Sequence, residues 1–176
     1  GGQSLKPNEA ILVANMGSMG TDMMVIRKGN VRFSRNVSLG GDSFNKVIAQ
    51  GLGITEEQAE EYRRNYGLDA ELLDGRVRQV LLPVAETFIN EIKRTVNFYT
   101  TRNSLCTFSR VLYSGGSVTM PGLLSYSAEN LSLEVELANP FAGLEFSPKM
   151  MLQKEKLINL GPLYTVAMGL ALKEIV

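Results

Sequence analysis

Ile11-Leu12-Val13-Ala14 is an unbroken apolar run, and two β-prone runs come after it, Met23 to Arg27 and Val31 to Val37, flanking Gly29-Asn30. Consecutive apolar residues suit a strand covered on both faces. Gly-Asn between β-prone runs is a hairpin signal, because both residues tolerate the positive φ of a tight turn. The chain therefore opens with three antiparallel strands, the first and second separated by the glycine turn Gly17-Ser18-Met19-Gly20-Thr21. The remainder of the chain has to cover their faces.

That remainder is helical at first and then alternates. Gly40-Gly41-Asp42 leads into a helix with Asp42 or Ser43 as cap, and Phe44, Val47, Ile48 and Leu52 recur at helical spacing. Thr55 and Gln58 form a capping-box pattern for a second helix, which runs to Tyr66 and stops at Gly67. The longest periodic segment, Val77 to Arg102, puts Leu81, Val84, Phe88, Ile92 and Val96 on one stripe, with Pro83 near its start. Arg110 to Tyr113 then reads as a strand, Ser114 to Ser117 as a loop, and Pro121 to Asn130 as a helix. Leu133 to Leu137 reads as a half-exposed strand and Gly161 to Ile175 as a last helix. Antiparallel strands succeeded by β/α alternation predict an α/β fold: a mixed sheet with three N-terminal antiparallel strands and helices on both faces.

Composition narrows the class. The 176 residues fit one domain, and 44% apolar content is that of a globular chain. Lys+Arg and Asp+Glu are 18 each, so the basic excess of a nucleic-acid binder is missing, and so is the basic helix face of a membrane-surface binder. No run reaches the length of a membrane-spanning helix. One cysteine, Cys106, fits a reducing cytosol and reads as a small buried or edge residue; with no histidine, His-dependent triads and His metal sites are excluded. Met16, Met19, Met23 and Met24 read as adaptable core or rim packing. Gly1-Gly2 look like an expression scar, so residues 1–8 are expected to be a leader and 9–176 the folded unit, with a small helical insertion over 51–76.

Four segments are informative beyond the fold. Asn15-Met16-Gly17-Ser18-Met19-Gly20-Thr21 places a glycine turn after a buried strand, where backbone N–H groups can cradle phosphate oxygens; by itself it reads equally as a hairpin turn. Gly40-Gly41-Asp42-Ser43, with Ala59-Glu60-Glu61-Tyr62-Arg63 and Tyr66-Gly67, sets Glu60 and Arg63 one turn apart on one helix face; a solvated ion pair would look the same. Ser114-Gly115-Gly116-Ser117, with Met120-Pro121-Gly122-Leu123 after it, is a strand ending in two glycines; one glycine would suffice for a positive φ. Asn139-Pro140-Phe141-Ala142-Gly143-Leu144 with Ser147-Pro148 is a turn-rich loop that tucks Phe141 inward.

Together these segments resemble the C-terminal, ribonuclease-H-like lobe of the actin, heat-shock chaperone and sugar-kinase superfamily, and within it the PilM-type pilus-assembly branch, to which the Asn-Pro-Phe and Ser-Pro stretch is peculiar. The resemblance implies a cytoplasmic scaffold of a type IV pilus or related machine. Such a scaffold carries half of a cleft for ATP or ADP with Mg²⁺ and is completed by an N-terminal lobe. Its phosphates would meet Asn15, Gly17, Ser18, Gly20 and Thr21, its ribose and adenine Glu60 and Arg63, and its nucleoside Gly115, Gly116 and Ser117. Asn15 stands where the family has the Asp that orients the metal-bound water. An amide is a poorer Mg²⁺ ligand, so weak hydrolysis at most is expected, and none from this lobe alone. The alternative is a structural domain that kept the fold and lost the nucleotide, like the cytoplasmic domain of GspL; a phosphotransferase would need an Asp from the other lobe. The implied partners are that lobe and, through it, an inner-membrane protein of PilN type. Self-association is expected through a cleft wall of Met16, Met19 and the loop around Phe141.

Overall fold

A computed structural model of the chain describes residues 8–142 and 154–172. Strands β1 (Glu9–Met16), β2 (Thr21–Arg27) and β3 (Asn30–Val37) form the expected antiparallel meander. Strand β4 (Thr107–Ser114) lies parallel to β1, and β5 (Glu134–Leu137) parallel to β4, so the five-stranded sheet has the order β3-β2-β1-β4-β5. The mixed α/β fold agrees with the reading from sequence, with the apolar run of β1 at its centre.

One face of this sheet makes the core. Register sets Leu12 opposite Val25 and Val111, and Ala14 opposite Met23 and Tyr113, and all six are fully buried. Three helices cover that face: α1 (Gly41–Leu52), α3 (Arg76–Arg102) and α4 (Leu123–Leu131). Helix α2 (Glu56–Asn65) packs beside α1, and its capping box forms as predicted, Gln58 N–H donating to Thr55 Oγ1 at 3.2 Å and Thr55 N–H to Gln58 Oε1 at 3.1 Å. Ala59 of α2 and Leu68 beyond it belong to the same core as the sheet.

The buried stripe of α3 is Val77, Leu81, Ala85, Phe88, Ile89, Ile92, Thr95 and Tyr99. Val84 and Val96, expected on that stripe, sit half-buried at its edge instead. The small side chains Ala85 and Thr95 let the helix approach the sheet, and the Thr95 hydroxyl lies 3.2 Å from Met23 Sδ and 2.8 Å from the Glu91 carbonyl. Arg35 of β3 pairs with Glu91 at 2.5 Å, and Glu91 also takes Arg94 at 2.8 Å, tying the edge strand to the helix.

Element boundaries differ from the sequence reading in places, β4 beginning at Thr107 rather than Arg110. Helix α4 starts at Leu123 rather than Pro121, because Gly122 adopts φ 75° and turns the chain before the helix begins. A short helix α5 (Lys154–Asn159), which the sequence reading did not anticipate, precedes α6 (Gly161–Leu172). The first turn of α6 meets the end of β4 on the opposite sheet face, Ser114 Oγ lying 3.2 Å from the Pro162 carbonyl. Among the described residues no helix is long and apolar enough to cross a membrane.

Tyr113 carries a test of the core. Its ring packs on Phe88 with centroids 5.7 Å apart, and its hydroxyl donates to Ser127 Oγ at 2.8 Å, while the Ser127 hydroxyl bonds the Leu123 carbonyl at 2.7 Å. Burial pushes the phenol's pKa upward. Below pH ~10 both folded and unfolded chains hold that proton; above it the unfolded chain ionises first, so this group makes stability fall as pH rises. Tyr113→Phe is expected to cost about 1 kcal/mol at neutral pH, since Ser127 keeps a partner. It should also make the alkaline loss of stability shallower, as urea melts at pH 7 and above ~10 will measure.

Candidate functional site

The turn between β1 and β2 is closed by Gly17 N–H donating to the Gly20 carbonyl at 2.9 Å. Its outward carbonyls then meet the start of α1: Gly41 N–H donates to Gly17 O and Asp42 N–H to Ser18 O, each at 2.9 Å. These would be orphan donors of the helix N-terminus. The cap of α1 is therefore Gly40 seated against the turn, not the side chain of Asp42 or Ser43, although Ser43 Oγ accepts weakly from Gly40 N–H at 3.4 Å. A Cβ on Gly40 would stand 2.4 Å from Ser18 O and 2.5 Å from Gly20 N, so the fit requires glycine. The Ser117 hydroxyl donates to Gly17 O at 3.1 Å and brings the glycine pair of β4 to the same place.

Arg63 is 5% exposed, and its Nε donates to Asn45 Oδ1 of α1 at 2.8 Å. Asn45 is its one hydrogen-bond partner among the described residues. Glu60 pairs instead with Arg64 on the exposed side of α2, at 2.5 Å. Burial lowers the Arg63 pKa, opposed by the nearby Glu60 carboxylate. From so high a starting value the guanidinium remains charged at physiological pH. A buried cation held by a neutral amide is an incomplete arrangement, and an anion is its natural complement.

The two glycines of the third motif have different jobs. Gly115 adopts φ 94°, a Cβ there would lie 2.2 Å from Met16 O, and its N–H donates to Pro162 O at 2.8 Å. It is needed for the crossing of β1, β4 and α6. Gly116 is open: a Cβ would meet Leu163 Cδ1 alone, at 3.3 Å. Asn15 Oδ1 accepts from Ser114 Oγ at 3.2 Å, which turns the amide toward β4.

A cavity of about 340 Å³ joins these pieces. Of the residues expected from sequence, Gly17, Ser18, Glu60, Arg63, Gly116 and Ser117 line it. Asn15, Gly20, Thr21 and Gly115 do not. Thr21 is fully buried with its hydroxyl on the Leu39 carbonyl at 2.7 Å, because strand alternation puts it on the same face as Met23 and Val25. Gly20 is packed so that a Cβ would lie 2.8 Å from Val37 O. Gly41, Asp42, Asn45, Arg64 and Leu163 also line the cavity and were not among the expected site residues, so it holds the carboxylates of Asp42 and Glu60 beside the two arginines. Asn45 could have been found four residues after Gly41, one turn on along the same helix face; Leu163 has no local signal, since α6 arrives from far along the chain.

Two further expectations are corrected. Met16 is fully buried by the sheet pairing and contributes no exposed wall, whereas Met19 at the turn tip is 81% exposed. Among the described residues α6 also exposes apolar side chains, Leu163, Val166 and Leu170 at 55%, 58% and 65%. Phe141 is half-buried, its ring 6.5 Å from Tyr164 of α6, and Asn139 Oδ1 accepts from the Phe141 N–H at 3.1 Å. Gly143, Leu144, Ser147 and Pro148 of that motif lie outside the described residues. A larger cavity, about 470 Å³ between the start of α4 and the end of β5, has no charged residue among its described lining, and none of the phosphate-loop or α2 residues is part of it.

For a nucleotide, the cavity offers the Arg63 and Arg64 cations to the phosphates, beside the carboxylates of Asp42 and Glu60, and the Gly116 side to a nucleoside. No group of three or more His, Cys, Asp or Glu able to hold a metal ion occurs among the described residues, and a Mg²⁺ accompanying a nucleotide would take most of its ligands from phosphate oxygens and water.

Comparison with known proteins agrees with this architecture. The family model described as "Type IV pilus assembly protein PilM" matches residues 3–175. A solved PilM-PilN type IV pilus biogenesis complex matches with 28% identity and a TM-score of 0.81, covering 97% of this chain and 47% of that one. The ethanolamine utilization protein EutJ from Carboxydothermus hydrogenoformans matches at 21% identity and a TM-score of 0.60, over 87% of this chain and 48% of that one. MreB 5 of Spiroplasma citri bound to AMPPNP matches at 14% identity and a TM-score of 0.64, over 96% and 54%. The latter two share the actin-like fold. The chain spans about half the length of each.

Proposed function

The chain belongs to the PilM family of type IV pilus assembly proteins, and from that premise we propose that it is one wall of an adenosine-nucleotide cleft in a cytoplasmic scaffold. The observation that carries this reading is the buried Arg63, which hydrogen-bonds only the neutral Asn45 among the described residues, on the cavity shared by the β1–β2 turn, α2 and the glycine pair. In it, Arg63 and the turn Gly17–Ser18 hold the anionic end of ATP or ADP, and Gly116 and Ser117 face the nucleoside. The opposite wall comes from an N-terminal lobe, and the apolar face of α6 is the surface that lobe covers. A helix apolar on all sides is built to be enclosed. The partner is an inner-membrane protein of PilN type, held through that other lobe, which brings the scaffold to the membrane periphery. Nucleotide occupancy then orders the two lobes and so sets which partner contacts form.

A second reading has its own observation. Asn15 is neutral and tied to Ser114, so it offers no anionic oxygen for a Mg²⁺-bound water. That favours a domain which keeps the fold as an interaction surface and binds no nucleotide. Calorimetric titration of the two-lobed protein with ATP and ADP, with and without Mg²⁺, separates the two. Binding is expected, and Gly116→Val is expected to weaken it about tenfold without lowering the melting temperature, because the new methyls enter the cavity rather than a backbone contact. This chain alone is expected to show negligible ATPase activity. Undetectable binding by a folded two-lobed protein would select the nucleotide-free reading.

A further inference from the structure

Zero net charge conceals a segregation of charge at the end of the sheet opposite the cavity. Strand β1 runs from Glu9 at this end to Met16 beside the site. Here the β2–β3 turn projects Lys28 and Arg32 around Val31, which is 57% exposed. Beside it, Cys106 N–H donates to the Asn103 carbonyl at 2.8 Å and closes a turn that holds Leu105 75% exposed. Arg102 lies over the half-open Phe98 ring, 3.8 Å from its centroid, and Phe98 stacks on Phe33 at 4.9 Å. Arg27, Lys28, Arg32, Tyr99 and Asn103 enclose a pocket of about 240 Å³ between the two turns. Neither segment, 27–35 or 97–106, contains an acidic residue. At the same end of the sheet, Glu9 lies on the central strand and Glu134 on β5, where Arg110 pairs with it at 4.0 Å.

We propose that this end of the lobe docks on an anionic phospholipid surface, with a headgroup phosphate in the pocket and Val31 and Leu105 entering the interface. Cations near an anionic leaflet are attracted additively and are screened by salt. Apolar side chains that protrude singly from turns, ringed by cations, need no shape-matched receptor, and a fluid interface supplies none. An acidic protein segment would satisfy the cations but would leave Leu105 in water. The nucleotide cavity then points away from the membrane.

The test is co-sedimentation of the chain with vesicles of phosphatidylglycerol and phosphatidylcholine, against phosphatidylcholine alone, at low and high salt. Binding is expected on the anionic vesicles, and high salt should abolish it. Lys28→Glu with Arg32→Glu should weaken partitioning at least about twentyfold, near fivefold per cation lost. Leu105→Ser, which leaves the charge untouched, should weaken it at least about fourfold, the worth of one methylene lost from the interface. All three positions are exposed, so melting temperature should not move. The proposal fails if anionic vesicles sediment no protein, or if the double variant binds as well as the parent. It fails equally if millimolar inorganic phosphate or polyglutamate binds this face while Leu105→Ser leaves vesicle binding unchanged.

Discussion

Gly40→Ala is expected to destabilise the chain by at least about 3 kcal/mol, the upper range of overpacking costs. The added Cβ would approach Ser18 O at 2.4 Å, Gly20 N at 2.5 Å and Gly17 O at 2.8 Å. These are backbone atoms of one closed turn, so no rotamer change relieves the clash. Opening the turn would break the bonds from Gly41 N–H and Asp42 N–H to Gly17 O and Ser18 O, and would uncap α1. For a chain of this length the loss corresponds to a fall in melting temperature of roughly 6 to 12 °C. Gly17→Ala is the control: its Cβ would meet the Gly20 carbonyl at an ordinary 3.5 Å. Thermal melts of both variants should show a large shift for the first and a small one for the second. Equal shifts would mean that the turn does not sit on α1 as described.

Arg63→Met separates stability from binding. Arg63 is buried, hydrogen-bonds the neutral Asn45, and pairs with no carboxylate within ion-pair distance among the described residues. An unbranched apolar side chain of similar length removes a desolvated charge, so unfolding free energy should stay within about 1 kcal/mol of the parent or rise. Nucleotide affinity of the two-lobed protein should fall about ten- to a hundredfold, the worth of a lost hydrogen bond to a charged group. Arg63→Lys should recover part of it, since charge remains without the planar fork. If the methionine variant melted far lower and bound nucleotide unchanged, Arg63 would be a structural residue and the cavity would lack its anion partner.

Much of this arrangement is legible in the order of residues alone, and the reason is locality. The β1 run, the Gly29-Asn30 hairpin and the Thr55–Gln58 capping box each depend on residues within a few positions of one another. Backbone conformational preference and side-chain periodicity act at that range, so these elements and their order can be read from neighbouring residues. It also supplied the glycine pairs, because a backbone approach that excludes a Cβ leaves its mark in residue type.

The tertiary structure alone decided questions of direction between distant segments. Thr21 and Gly20 belong to the phosphate-turn motif, yet strand alternation and the packing of Val37 turn them away from the cavity. Glu60 and Arg63 share a helix face, but Arg64 claims the carboxylate and Asn45 of another helix claims the guanidinium, leaving a buried cation where the sequence left a nucleotide contact and a solvated ion pair equally open. Gly115 and Gly116 are neighbours of identical chemistry, and the backbone of Met16 separates a packing glycine from an open one. Met16 is enclosed and Leu163 exposed because sheet pairing and the docking of α6 allot their surroundings. Burial and hydrogen-bond partnership are properties of pairs far apart in the chain. No window along the sequence contains both members.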